Sequence, residues 1–180
     1  MLKDKVGLVT FYGDNYGGLL QAYALQQTIN RMDFKCEIMK YDWISPESKT
    51  EKYIKKFLQI ESIFAYMEKR RIMRANFKNF AIRAQQFQKF RNDYLSFDHN
   101  SCVTIEDYYK NTPEFDFYVC GSDQIWNPNL YGRCNPIYFL DFVRNGKRKI
   151  SYAPSIGVAE IEQKYKKEID ESEIIKRLIK

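Results

Sequence analysis

Within the first forty residues a short strand, a glycine-rich loop, a helix and a second strand follow one another, and this order constrains the fold more than any other feature. Lys5-Val-Gly-Leu-Val-Thr-Phe is a β-forming apolar run that stops at Tyr12-Gly-Asp-Asn-Tyr-Gly-Gly, a loop of glycines and Asx residues. From Gly18 the positions Ala22, Leu25, Ile29 and Met32 recur at intervals of three and four, with Gln21, Asn30 and Arg31 on other faces, which predicts a helix. Cys36-Glu-Ile-Met-Lys-Tyr-Asp then reads as a second strand. A crossover joining neighbouring parallel strands is nearly always helical and right-handed. The opening therefore predicts an α/β fold, a Rossmann-like parallel sheet flanked by helices.

At 180 residues the chain fits one domain with a real core. An apolar fraction of 44% argues against disorder, and no run approaches the roughly 18 apolar residues of a membrane span. The first twenty residues carry no secretion-signal pattern, so a cytoplasmic location is expected. Cys36, Cys102, Cys120 and Cys134 are scattered without a C-x-x-C, and His99 is the single histidine, which leaves no expected metal site. Cys120, inside an apolar run, reads as a small core residue.

Charge is concentrated in one region. Between Glu51 and Arg91 eleven Lys or Arg stand against three Glu, a balance of +8 in a chain of net +6, so the remainder is −2. That distribution argues against a nucleic-acid binder and for one helical region with a positive face. Phe57, Ile60, Phe64 and Met67 share one helical stripe, and Met73, Phe77, Phe80, Ala84, Phe87 and Tyr94 another, predicting a basic helical insertion over residues 47–95. Its cations serve either as a solvated outer face or as a contact for an anionic lipid surface or phosphorylated carrier, peripheral at the inner membrane face.

Further along, Ile105-Glu-Asp-Tyr-Tyr predicts a short helix and Phe115 to Cys120 a buried strand. Ile137-Tyr-Phe-Leu-Asp-Phe and Lys149-Ile-Ser-Tyr-Ala are expected as further strands, and Glu160 to Lys180 as a charged terminal helix, weakly anchored.

Ligands of an open parallel sheet gather beyond the carboxyl ends of its strands. Three loops are expected there: Gly13 to Gly18, Gly121 to Pro128, and Pro154-Ser-Ile-Gly with Ser155. The first is neither G-x-G-x-x-G nor G-x-x-x-x-G-K-[ST], and Asp14 would repel a phosphate. Asp14 and Asn15, with Tyr16, Gly17 and Gln21, suit vicinal hydroxyls; equally, the glycines and Asx residues serve the turn itself. In Gly121-Ser-Asp-Gln-Ile-Trp-Asn-Pro, Ser122 or Asp123 can cap a helical turn and Trp126 can be core. The same Ser122, Asp123, Gln124, Trp126 and Asn127 can grip hydroxyls and stack on a sugar face, Asp123 accepting a proton from an attacking hydroxyl. Asp123 and Asp14 are the catalytic candidates.

Asp14-Asn-Tyr-Gly-Gly-Leu-Leu-Gln-Ala-Tyr-Ala-Leu-Gln, Phe117-Tyr-Val-Cys-Gly-Ser-Asp-Gln-Ile-Trp-Asn-Pro, Tyr138-Phe-Leu-Asp-Phe-Val and Lys149-Ile-Ser-Tyr-Ala-Pro-Ser-Ile-Gly occur in the order of the N-terminal half of the polysaccharide pyruvyl transferase family, which the chain resembles. The resemblance implies an N-terminal domain similar to that of two-domain GT-B transferases. It also implies transfer of the enolpyruvyl part of phosphoenolpyruvate to a sugar of a cell-surface or exopolysaccharide, forming a ketal. In the family an R-x-H-like element of a second domain binds the donor, and no R-x-H occurs here. The expectation is a single acceptor-side domain over residues 1–180, with the donor domain absent or supplied by a separate chain, and with phosphoenolpyruvate as a substrate and no cofactor. Two other readings stand beside it: a non-catalytic glycan-binding or partner-binding module, and a fragment of a nucleotide-sugar glycosyltransferase.

Overall fold

The computed structural model describes residues 3–41, 71, 76–100, 104–131, 135–144, 146–163 and 165. Four parallel strands form one sheet in the order β2-β1-β3-β4: β1 (Lys5–Val9), β2 (Lys35–Ile38), β3 (Phe117–Asp123) and β4 (Arg148–Pro154). The helices are α1 (Tyr16–Arg31), α2 (Phe77–Tyr94), α3 (Ile105–Lys110) and the single turn α4 (Pro128–Tyr131). This is the expected α/β sheet.

Alternation along the strands splits the core into two layers. Val6 and Leu8 of β1 and Val119 of β3 face Leu19, Ala22, Leu25 and Ile29 of α1 and Phe87 of α2. Val9, Tyr118 and Cys120 face the other way, against Ile105 and Tyr108 of α3 and the run from Ile137 to Val143. Gln26, fully buried on α1, ties that helix to its neighbours. Its Nε2 donates to the carbonyls of Cys36 (3.1 Å) and Ser96 (2.7 Å), and its Oε1 accepts from the Ser96 N–H (3.0 Å).

The chain steps from β1 to β2 on one side, then returns to place β3 on the other side of β1. The strand order reverses there, so the crevice beyond the carboxyl ends of β1 and β3 is the topological switch point.

Four expectations need correction. The run Ile137 to Phe142 is not a strand: the Tyr138, Phe139, Leu140 and Val143 N–H groups each donate to the carbonyl three residues back, a chain of turns. Asn135 starts it, its side chain accepting from the Ile137 N–H, and Pro136 sets the first bend. A short apolar run reports burial but not conformation, and Ile137, Phe139 and Leu140 are indeed all buried. Secondly, β3 does not stop at Cys120, because pairing with β4 carries it on through Gly121 and Asp123. Thirdly, Met32 lies past the end of α1 and is exposed. Fourthly, of the described stripe on α2 only Phe87 is buried, while Phe77 and Phe80 stand in solvent, since α2 reaches the body of the protein only through its second half.

The stripe Phe57 to Met67, Met73, Cys102, Cys134 and most of the segment from Glu160 lie outside the described residues. Among the described residues no helix is long and apolar enough to cross a membrane.

Candidate active site at the carboxyl edge of the sheet

Each of the three loops singled out in the sequence leaves the carboxyl end of a strand. After β1, Asn15 adopts an extended conformation and caps α1, its Oδ1 accepting from the Gly18 N–H at 2.6 Å. This satisfies one of the free donors at the helix start. Asp14 beside it is exposed and receives a hydrogen bond from Arg91 of α2 at 2.5 Å, Arg91 in turn donating to Gln88 (2.9 Å). Tyr16 is 68% exposed; its ring meets Phe87 edge-on at 4.9 Å and lies under the Arg83 guanidinium at 5.6 Å. Gly17 is exposed at the helix start. Gln21, one and a half turns further, is half-buried, and its Nε2 is enclosed without a hydrogen-bond partner.

After β3 the backbone turns sharply at Asp123, whose φ of 67 lies in the left-handed region that Asp tolerates through its short polar side chain. The Gly121–Ser122 peptide is cis. Ser122 is half-buried, and it lines with Gln21 an apolar groove of about 370 Å³ between α1 and the β3–β4 face. The loop is laced to the one after β4: the Ser155 N–H donates to the Asp123 carbonyl (2.7 Å), and the Trp126 N–H to the Ser155 carbonyl (3.3 Å). Gly157, with φ 68, packs so closely that a Cβ there would sit 2.5 Å from the Gln124 side chain. Gly121 has the same role in the ladder, since a Cβ would lie 2.2 Å from the Tyr152 carbonyl oxygen.

Side chains of this loop divide by what they touch. Gln124 Oε1 accepts from the Asn127 Nδ2 at 2.8 Å, and the Asn127 Oδ1 accepts from the Asn129 N–H at 3.0 Å at the start of α4. Trp126 stacks on Phe139 at 5.5 Å and donates its Nε1–H to the Tyr138 carbonyl at 2.9 Å. These three hold the loop in shape. The Asp123 carboxylate is exposed and has no hydrogen-bond partner among the described residues. Cys120, just before the loop, is buried, and burial pushes its thiol up to about 12, which leaves it protonated and a poor nucleophile.

The family model of the polysaccharide pyruvyl transferases matches residues 15–172. The chain belongs to that family. The match runs from Asn15, the cap of α1, through the loops after β3 and β4, and leaves out β1 and the start of the first loop, Asp14 included. No curated protein matches the chain, and no solved structure does.

In this family member two parts of the edge had no local signal. Arg91 lies 77 residues from Asp14, so only the tertiary structure brings the cation to the loop. The turns from Pro136 to Phe142 form a shared floor. Tyr138 packs on Phe11 of the first loop at 5.3 Å, and Phe139 on Trp126 of the second. Thr10, at the end of β1, is buried, and its Oγ1 has no hydrogen-bond partner among the described residues. His99 follows the bridge of Phe97 to the outer side of β2, three strand spacings or ~14 Å from β3.

Proposed function

We propose that this chain forms the acceptor side of a pyruvyl transferase, in which a sugar of a cell-surface polysaccharide enters the crevice between the β1 and β3 loops and receives the pyruvyl group of phosphoenolpyruvate. The family match carries the reaction class. The exposed carboxylate of Asp123 at the switch point, without a partner among the described residues, supports its place in the mechanism.

Ketal formation is balanced as follows. The methylene carbon of the donor gains a proton, one sugar hydroxyl bonds to the adjacent carbon and gives up its proton, and a second hydroxyl displaces inorganic phosphate, which leaves as hydrogen phosphate with that hydroxyl's proton. Asp123 takes the proton from the attacking hydroxyl, since a base must be within reach and not already neutralised by a partner. Asp14 is the second acceptor for sugar hydroxyls, held in place by Arg91. Asn15, Tyr16, Gly17, Gln21, Ser122 and Ser155 border the same edge and complete the proposed acceptor contacts; Gln124, Trp126 and Asn127 set the loop that carries Asp123. A trianionic donor calls for several cations. With Arg91 engaged by Asp14, the proposal assigns donor binding to a second, GT-B-like domain, in the same chain or a separate one.

The test is phosphate release from phosphoenolpyruvate in the presence of candidate acceptors, with the chain joined to or mixed with a family donor domain. Asp123→Asn is expected to slow release by about 10²-fold or more while leaving the fold intact. No release by the unaltered protein, or full release by Asp123→Asn, overturns the assignment.

A further inference from the structure

The ring pairs between α1 and α2 fix how far α2 projects. Tyr16 meets Phe87, and seven residues on, Tyr23 meets Phe90 and Tyr94, so the two helices lie side by side and run the same way. Tyr16 is the first residue of α1, at the carboxyl edge of the sheet. At ~1.5 Å per residue, Phe77 therefore lies ~15 Å beyond that level. Every residue from Phe77 to Gln86 is exposed.

The chemistry of this projection is uneven. Phe77 is 72% exposed, Phe80 and Ile82 48% each. Lys78 and Arg83 lie among them, and the sequence from Lys69 to Asn92 holds eight Lys or Arg and no Asp or Glu. A solvated helix face explains the cations but not two phenylalanines, Phe77 and Phe80, held in water on one face at the same end. Nucleic acid would use the cations along the whole helix, yet Arg91 and Lys89 in the second half are engaged by Asp14 and Asp93. A second copy would bring eight more cations against eight. Apolar side chains flanked by unopposed positive charge fit the headgroup boundary of an anionic bilayer.

We propose that the projecting half of α2, Phe77 to Gln86, is a docking surface for an anionic lipid membrane, into which Phe77 and Phe80, which share one helix face, insert while Lys78 and Arg83 on its flanks meet the headgroups. Docking there turns the carboxyl edge of the sheet, with its loops, toward the lipid surface. The inference rests on the shape and charge of α2 and not on the transfer reaction; vesicle binding without phosphate release, or the reverse, separates the two.

The experiment is co-sedimentation of the full chain with vesicles of phosphatidylcholine containing phosphatidylglycerol, against phosphatidylcholine alone. Binding is expected to the anionic vesicles only and to weaken with salt. Lys78→Gln is expected to lower partitioning about fivefold. Phe77→Ser with Phe80→Ser is expected to lower it at least about tenfold. Both variants alter exposed positions, and an unchanged melting temperature checks that they fold. Absence of binding to anionic vesicles, or equal binding by the Phe77→Ser, Phe80→Ser variant, overturns the proposal. So does a dimer, seen by light scattering and abolished by the same variant, in a chain that ignores vesicles. Binding to single-stranded RNA that survives the variant while vesicle binding is absent overturns it in favour of a nucleic-acid partner.

Discussion

Replacing Gly121 by alanine tests whether the close approach of β3 and β4 is what builds the candidate site. The new Cβ would lie 2.2 Å from the Tyr152 carbonyl oxygen, a backbone atom that cannot rotate away. Carbon–oxygen contacts settle at about 3.3 Å, so the strands must part by about 1 Å. A ladder hydrogen bond of about 2.9 Å stretched by that amount passes out of range. Pairing at Gly121–Tyr152 and Asp123–Pro154, and the bond from the Ser155 N–H to the Asp123 carbonyl, are all in the affected stretch. Two or three bonds lost at about 1 kcal/mol each, with local overpacking of about 1–3 kcal/mol, give a cost of about 3–6 kcal/mol. Against a total of about 5–15 kcal/mol this is a large share of the stability. Urea unfolding followed by circular dichroism measures it. Gly13→Ala is the control: a Cβ there meets nothing within 4 Å. That change is expected to be neutral, or to stabilise by up to about 1 kcal/mol by restricting the unfolded chain. A Gly121→Ala protein within about 1 kcal/mol of the parent would refute the reasoning, since the cost worked out above is several times that.

Two further changes probe the layers beneath the site. Gln26→Leu removes the donors to the Cys36 and Ser96 carbonyls and the acceptor for the Ser96 N–H, and is expected to cost about 2–4 kcal/mol; an unchanged urea midpoint would show that these bonds contribute nothing net. Burial pushes the thiols of Cys36 and Cys120 from an ordinary 9.0 up to about 12. The folded state therefore keeps protons that the unfolded chain releases, so their contribution is whole below pH 9 and is lost as pH rises toward 12. Stability is expected to fall across that window, and Cys36→Ala or Cys120→Ala to flatten the fall; parallel curves for parent and variants would exclude the thiols as its source.

The sequence by itself determined the sheet and the edge at which its loops gather. Lys5–Val9, Lys35–Ile38 and Arg148–Pro154 stand within a residue or two of their expected starts, because short runs of β-forming residues bounded by turn residues are local signals. The three loops were legible for the same reason: each is a cluster of Gly, Asx and Ser at the end of an apolar run, and parallel pairing then brings all three to one edge. What lines that edge was decided only in three dimensions. Asp14 and Asp123 look alike in sequence, yet one is paired with Arg91 and the other has no partner among the described residues. Gln124, Trp126 and Asn127 look like sugar-gripping groups, yet each finds a partner within the fold. Ile137 to Phe142 has the composition of a strand, but Asn135 and Pro136 bend it into turns that support two loops at once. The apolar stripe of α2 has the spacing of a core-facing helix, and half of it projects beyond the core. Periodicity records which side chains share a face, over a reach of a few residues. Whether that face meets another is set by elements tens of residues away, and no local pattern carries that information.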